Sequence, residues 1–319
     1  MKTALIVNPV SGKGKSLDIL PDVIKWSRQR HVDLQLYTTT QSGEGTRMAR
    51  LARLDGCERI AVLGGDGTLN EAAQALLDSD CVMGVIPGGS GNDFFKMINE
   101  NSHVSKKALL SSALETAFLG TPLIIDVGLI NDRPFINTVG IGFDADVARY
   151  VARSKYLSGF FAYLVGVFQV WRQFKAIPLA IQLDRHFIDT DVTLVSVGNG
   201  QSSGGGFRLT PQAKLDDGLL DACIIESLPK FKMLQHLPKT LKGTHTRLPF
   251  VKMFRSQKIV IKSQVPFNIH IDGEILQDTL TEIEIKLHPK RLKVAHRFRG
   301  GPQNHKSPSD STAVDGIDN

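Results

Sequence analysis

A chain of 319 residues, 42% hydrophobic and 22% charged, can bury a substantial core and is of a length that points to two domains. The net charge of +6 and pI near 9.2 point to an anionic partner, whether nucleotide, membrane or nucleic acid, without choosing among them. Cys57, Cys81 and Cys223 have no metal or redox spacing and read as buried thiols of a reducing compartment, and the apolar residues Ala4 to Val7 are too few for a signal peptide.

Residues 3–7 predict a short strand and residues 17–26 a helix. Between them lies Asn8-Pro9-Val10-Ser11-Gly12-Lys13-Gly14-Lys15-Ser16, which is not a Walker loop: Gly14-Lys15-Ser16 would require a glycine at position 9, where Pro9 removes an N–H instead. A second strand, 33–37, leads through Thr38-Thr39-Thr40 to a helix over 45–54. A third, 59–63, leads through Gly64-Gly65-Asp66-Gly67-Thr68-Leu69-Asn70-Glu71 into a helix over 69–77. Closely spaced glycines between strand and helix leave backbone N–H groups at the positive end of the helix dipole, a place for phosphate. Asp66 would repel a bare anion, so a nucleotide carrying Mg²⁺ fits this loop better. A fourth strand, 82–86, ends at Pro87-Gly88-Gly89-Ser90-Gly91-Asn92-Asp93-Phe94, another glycine turn closing on a carboxylate. Alternating strands and helices predict a parallel sheet whose carboxyl-end loops form one site.

From residue 124 the texture changes to short alternating runs, 124–130, 134–139, 179–183, 191–197, 219–225, 257–262, 267–271 and 282–287, which predict an antiparallel sandwich or barrel. Helical stretches over 144–174 and 230–241 interrupt them. The uncharged run 156–171 falls short of the roughly 20 residues a membrane span needs and reads as a buried or surface-docking helix. Residues 227–271 hold no acid, against nine bases: Lys230, Lys232, Lys239, Lys242, Arg247, Lys252, Arg255, Lys258 and Lys262. Those that lie together would each add about 1 kcal/mol of attraction to an anionic bilayer. Nucleic acid is disfavoured, because few aromatics interleave with these bases. The polar end beyond residue 300 reads as a disordered tail.

The Gly64–Glu71 stretch resembles the phosphate-binding signature shared by diacylglycerol, sphingosine and ceramide kinases and by NAD kinases. Asn8-Pro9-Val10-Ser11-Gly12 resembles the opening motif of the lipid kinases, and Pro87-Gly88-Gly89-Ser90-Gly91-Asn92-Asp93-Phe94 their second signature, which favours the bacterial diacylglycerol kinase-like (YegS-like) group. The resemblance runs to about Arg297. It implies an α/β nucleotide-binding domain over 1–125, a β-rich, sandwich-type lipid domain over 126–290, and a segment over 291–300 that returns to the first domain, with the tail over 301–319. It also implies transfer of phosphate from ATP, with Mg²⁺, to a lipid hydroxyl. ATP would be held by Asn8, Pro9, Val10, Ser11, Gly12, Thr39, Gly65, Asp66, Gly67, Thr68, Leu69, Asn70, Glu71, Ser90 and Asp93.

By the same resemblance Glu274, in Asp272-Gly273-Glu274, accepts the proton and Asp66 contacts Mg²⁺ and nucleotide, with the reverse assignment, Asp66 as base, left open. The turn Asp216-Asp217-Gly218 looks like a structural Mg²⁺ site made by the Asp217 side chain and the carbonyls of Lys214 and Leu219, with Asp126 nearby. The implied protein works in the cytoplasm, peripherally on an anionic membrane, and self-association as a homodimer is left open. A kinase of a soluble metabolite such as NAD, and a non-catalytic nucleotide sensor, are the other classes this sequence allows.

Overall fold

The computed structural model describes residues 2–99, 106–153 and 159–297. The expected tail lies outside them. In the first half, β1 (Thr3–Val7), α1 (Lys15–Gln29), β2 (Leu34–Thr38), α2 (Glu44–Leu54), β3 (Arg59–Gly64), α3 (Asp66–Leu76), β4 (Val82–Pro87), α4 (Asp93–Ile98) and α5 (Lys106–Leu119) alternate as expected. The strands β2, β1, β3 and β4 pair in that order, all parallel. Both faces of this sheet are covered, which is why β1 and β3 are apolar at every core position rather than at every second one. Ala4, Ile6, Ile60 and Val62 face α2 and α3, whereas Leu5, Val7, Ala61 and Leu63 face α1 and α5.

The second half comprises β5 (Thr121–Ile130), β6 (Arg133–Phe135), β7 (Thr138–Gly142), α6 (Phe143–Arg153), α7 (Gly159–Gln173), β8 (Ile177–Leu183), β9 (His186–Gly198), β10 (Leu220–Glu226), α8 (Lys230–Lys242), β11 (Val251–Ser256), β12 (Lys258–Phe267), β13 (Ile269–Ile271), β14 (Glu274–Ile275) and β15 (Leu280–His296). Its pairings are antiparallel, and alternate residues such as Val139, Val195, Val197, Ile259, Ile261 and Ile283 point into one sandwich-like core. The intervening positions Leu194, Cys223 and Ile225 pack under α6, α7 and α8. β15 joins the halves: it runs antiparallel to β12 and β5, and its end lies parallel to β4, where Lys293 and Val294 face Val82 and Met83.

Several expectations need correction. The single strand over 134–139 is two, because the backbone N–H groups of Ile136, Asn137 and Thr138 leave the ladder to donate to the Asp272 carboxylate. The helical stretch 144–174 holds two helices, and the helix expected from Leu69 begins at Asp66. The run 282–287 and residues 291–296 of the expected return segment belong to one strand. Cys57 and Cys223 are buried, but Cys81 is only half-buried. The nine bases of 227–271 are not all unbalanced: Lys252 pairs with Glu226, Arg255 with Asp217, Lys258 with Glu284 and Lys262 with Glu282. Those acids lie outside the run, on its cross-strand neighbours and on the loop before β10. Among the described residues no helix is long and apolar enough to cross a membrane.

Candidate active site

Three loops converge at the carboxyl ends of β1, β3 and β4. Asn8 opens the first: its backbone N–H donates to the Leu63 carbonyl at 3.1 Å and its Nδ2 to Thr68 Oγ1 at 2.8 Å. Gly12, Lys13 and Gly14 then pass through the left-handed region, with φ of 59°, 61° and 91°. A Cβ on Gly12 would overlap the Gly88 carbonyl oxygen, so this loop lies directly on the one that follows β4. Gly89 and Gly65 approach as closely, since a Cβ on Gly89 would overlap the Gly65 Cα. Gly67 differs. It is the second residue of α3, and a Cβ there meets no protein atom within 4 Å, so the fold itself does not require a glycine.

The Asp66 carboxylate turns toward the start of α4, accepting the backbone N–H of Asp93 at 3.2 Å and of Phe94 at 3.1 Å. Burial, and then the nearby Asp93 charge, push its pKa up to about 7. Asp93 accepts the Gly205 N–H at 2.7 Å and the Lys96 Nζ at 3.1 Å, tying the first domain to a glycine-rich segment of the second. These two acids line a cleft of about 250 Å³ with Ser90 and Gly91 on one side and Thr138, Tyr163, Gly204, His270, Asp272 and Gly273 on the other. Its far wall is a buried polar cluster: His270 Nε2 lies 2.7 Å from Asp144 Oδ2, and the Tyr163 hydroxyl donates to the other oxygen of Asp144. The sequence reading missed these groups, although His270 sits two residues before Asp272.

Asp272 and Gly273, with φ of 50° and 84°, form the two-residue turn between β13 and β14, the type that requires left-handed backbone at both positions. The buried Asp272 carboxylate accepts N–H groups from Ile136, Asn137 and Thr138 at 2.8–2.9 Å and from Asn70 Nδ2 at 2.7 Å. Burial still raises its pKa. Glu274, one residue past the cleft lining, pairs with Arg133 at 2.5 Å, each side chain about two-fifths exposed.

Of the residues expected at the nucleotide, the structure brings Asn8 through Gly12, Gly65 through Thr68, Ser90 and Asp93 to this convergence of loops. Others point elsewhere. Leu69 is in the core, and Asn70 reaches across to Asp272 and the Pro134 carbonyl. Glu71 accepts the N–H groups of Gly43 and Gly45 at 2.7 and 2.8 Å, capping α2. Thr39 is buried, its N–H on the Val7 carbonyl at 3.0 Å.

At the acidic turn Asp126 is close, as expected, but both its oxygens accept backbone N–H groups, from Gly218 and Lys290 at 2.8 Å. Asp217 accepts the Leu219 N–H at 3.2 Å with one oxygen and the Arg255 guanidinium with the other. Each of these oxygens already accepts one donor, the Arg255 guanidinium among them, so a cation held by Asp217 with the carbonyls of Lys214 and Leu219 would have to displace Arg255. Arg255 supplies the positive charge there. In the cleft Asp66 and Asp93 lie together, and a cation there would offset the repulsion that, with burial, raises the Asp66 pKa.

Glycine loops at the carboxyl ends of a parallel sheet, facing a carboxylate-bearing β-rich domain across a cleft, define a two-domain phosphotransferase. Residues 2–130 match the diacylglycerol kinase catalytic domain, and residues 137–296 match the YegS C-terminal NAD kinase beta sandwich-like domain. Curated diacylglycerol kinases of Staphylococcus aureus and Staphylococcus epidermidis are 30% identical over 277 residues, 86% of this chain and 86% and 85% of theirs. A crystal structure of a diacylglycerol kinase from Bacillus anthracis superposes with a TM-score of 0.68 at 22% identity, covering 93% of this chain and 97% of that one. The chain belongs to the diacylglycerol kinase family, and it is a phosphotransferase with an alcohol group as acceptor.

Proposed function

We propose that this protein transfers the γ-phosphate of ATP to the hydroxyl of a membrane lipid, diacylglycerol or a relative, while associated peripherally with an anionic membrane. The observation that carries this reading is the cleft itself, where Asp66 and Asp93 of the nucleotide half face Gly205 and Gly273 of the β-rich half. Gly67 adds to it, since the space beside its Cα is open to a ligand. Asp66 and Asp93 would hold Mg²⁺, which offsets charge on the phosphate oxygens when bound. The N–H groups at the start of α3 bind the phosphates, and the loop over 8–12 covers them. Glu274, paired with Arg133, accepts the proton of the acceptor hydroxyl.

A second assignment is favoured by one observation: Asp66, not Glu274, lines the cleft, and its pKa of about 7 suits a base. Labelled ATP with a panel of lipids in mixed micelles, and NAD as a soluble control, tests both the function and the roles. Glu274→Gln is expected to keep ATP binding and lose about 10²-fold or more in turnover. Turnover near that of the parent would move the base to Asp66, and phosphate on NAD with none on any lipid would overturn the lipid reading.

A further inference from the structure

α7 has two dissimilar faces. One lines the cleft through Tyr163 and packs on α6, where a Cβ on Gly166 would touch Val147 and Val151. The other carries Phe161 and Phe168, two turns apart on one stripe and 67% and 52% exposed. Scattered exposed apolar residues need no explanation, but aromatic rings gathered on one face do. The stripe continues onto α8. Phe168 stacks on Trp171 with ring centroids 5.7 Å apart, the Trp171 indole N–H donates to the Lys230 carbonyl at 2.6 Å, and Lys230 Nζ donates to the Arg172 carbonyl at 2.6 Å. Phe231, 76% exposed, comes next in the chain.

The segments that carry these rings hold no carboxylate side chain. Neither 147–183 nor 227–271 contains an aspartate or glutamate. The ion pairs formed by 227–271 remove Lys252, Arg255, Lys258 and Lys262, all on the sheet. The α8 residues Lys230, Lys232, Lys239 and Lys242 form no ion pair among the described residues, so the uncompensated charge is concentrated on the helix that carries Phe231.

Resting on the reading of the chain as a lipid kinase, we propose that the α7–α8 face is the surface that docks on an anionic phospholipid bilayer. Aromatic rings settle at the level of the headgroups, and the α8 lysines meet the lipid phosphates. Because the opposite side of α7 walls the cleft, docking here brings the cleft's apolar side, Ala148 and Val151, close to the layer in which the acceptor lipid lies.

The test is co-sedimentation of the full chain, without ATP, on phosphatidylcholine vesicles containing increasing phosphatidylglycerol. Binding is expected to rise with phosphatidylglycerol and fall with salt. The triple variant Phe161→Ser, Phe168→Ser, Phe231→Ser should bind at least tenfold more weakly, whereas Lys258→Gln with Lys262→Gln should bind as the parent does. In a Trp26→Phe background Trp171 is the sole tryptophan, and its emission should shift to the blue on these vesicles, a readout that does not depend on the triple variant folding. Parent-like binding by a folded triple variant, equal binding to pure phosphatidylcholine, or an unmoved Trp171 emission would each overturn the proposal. No turnover enters the assay, so a chain that docks yet phosphorylates no lipid would sink the kinase reading alone.

Discussion

The Asp66 carboxylate is desolvated beside a second carboxylate. Its folded pKa of about 7 lies well above the value near 4 of an unfolded aspartate, so between those values the folded chain binds the extra proton. Raising the pH through that window therefore costs stability, by up to about 1.4 kcal/mol per pH unit, and the contribution is gone above pH 7. In EDTA, urea midpoints of the parent should fall relative to those of Asp66→Asn between pH 5 and pH 8, and parallel midpoints would refute the shared-site account. Asp272 is the contrasting case. It lines the same cleft, and its oxygens accept four protein N–H groups, so it also ties Asn70 of the first domain to the β-rich half. Glu71 and Asn70 are likewise motif residues spent on structure, and no spacing rule separates such a residue from a ligand contact, because the partner lies far away in sequence.

The elements that periodicity could reveal are those with one clear partner. The buried strands β1, β3 and β4 and the helix α2 stand within a residue or so of expectation. The helix α5 escaped notice because its apolar residues, Leu109, Leu110, Leu114, Ala117 and Phe118 among them, go all round it, with Ala113 in one core and Leu114 in another. β11 escaped because its strand alternation is broken by Lys252 and Arg255, whose acids come from elsewhere. The start of α3, by contrast, reads from sequence as a glycine loop running to Leu69, whereas the helix begins at Asp66, and Gly67 is the glycine of that loop that the fold itself does not require. Since no protein atom crowds a Cβ there and the backbone is helical, Gly67→Ala should raise stability by about 0.5–1 kcal/mol in the absence of ligand. The same methyl group would stand where phosphate approaches, so the KM for ATP should rise at least tenfold. A gain in stability with unchanged KM would move the nucleotide away from α3.

At the scale of the molecule, the two domains share a core. The cluster under α2 and α3 includes Ile136 and Leu215 from the middle of the chain and Leu292 and Val294 from its far end, all nearly fully buried. Neither the alternation of β1 to β4 nor the strand pattern beyond residue 124 discloses this sharing. It follows from β15 being long enough to pair with β12 at one end and β4 at the other. Residues 1–130 alone would lose Leu292 and Val294, at about 1.5–3 kcal/mol each, and would leave Val82 and Met83 as an unpaired edge. Against a total stability of about 5–15 kcal/mol, that loss should abolish cooperative unfolding of the fragment. The register offers a repair. Ile130 faces Ile285 across β5 and β15, so a two-residue Asn-Gly turn can join Ile130 to Ile285 and restore the strand through residue 297. Denaturation followed by circular dichroism should show a broad, dye-binding transition for 1–130 and a sharp one for the repaired chain. A sharp transition for 1–130 at the parent's midpoint would mean that the first domain is complete without its returning strand.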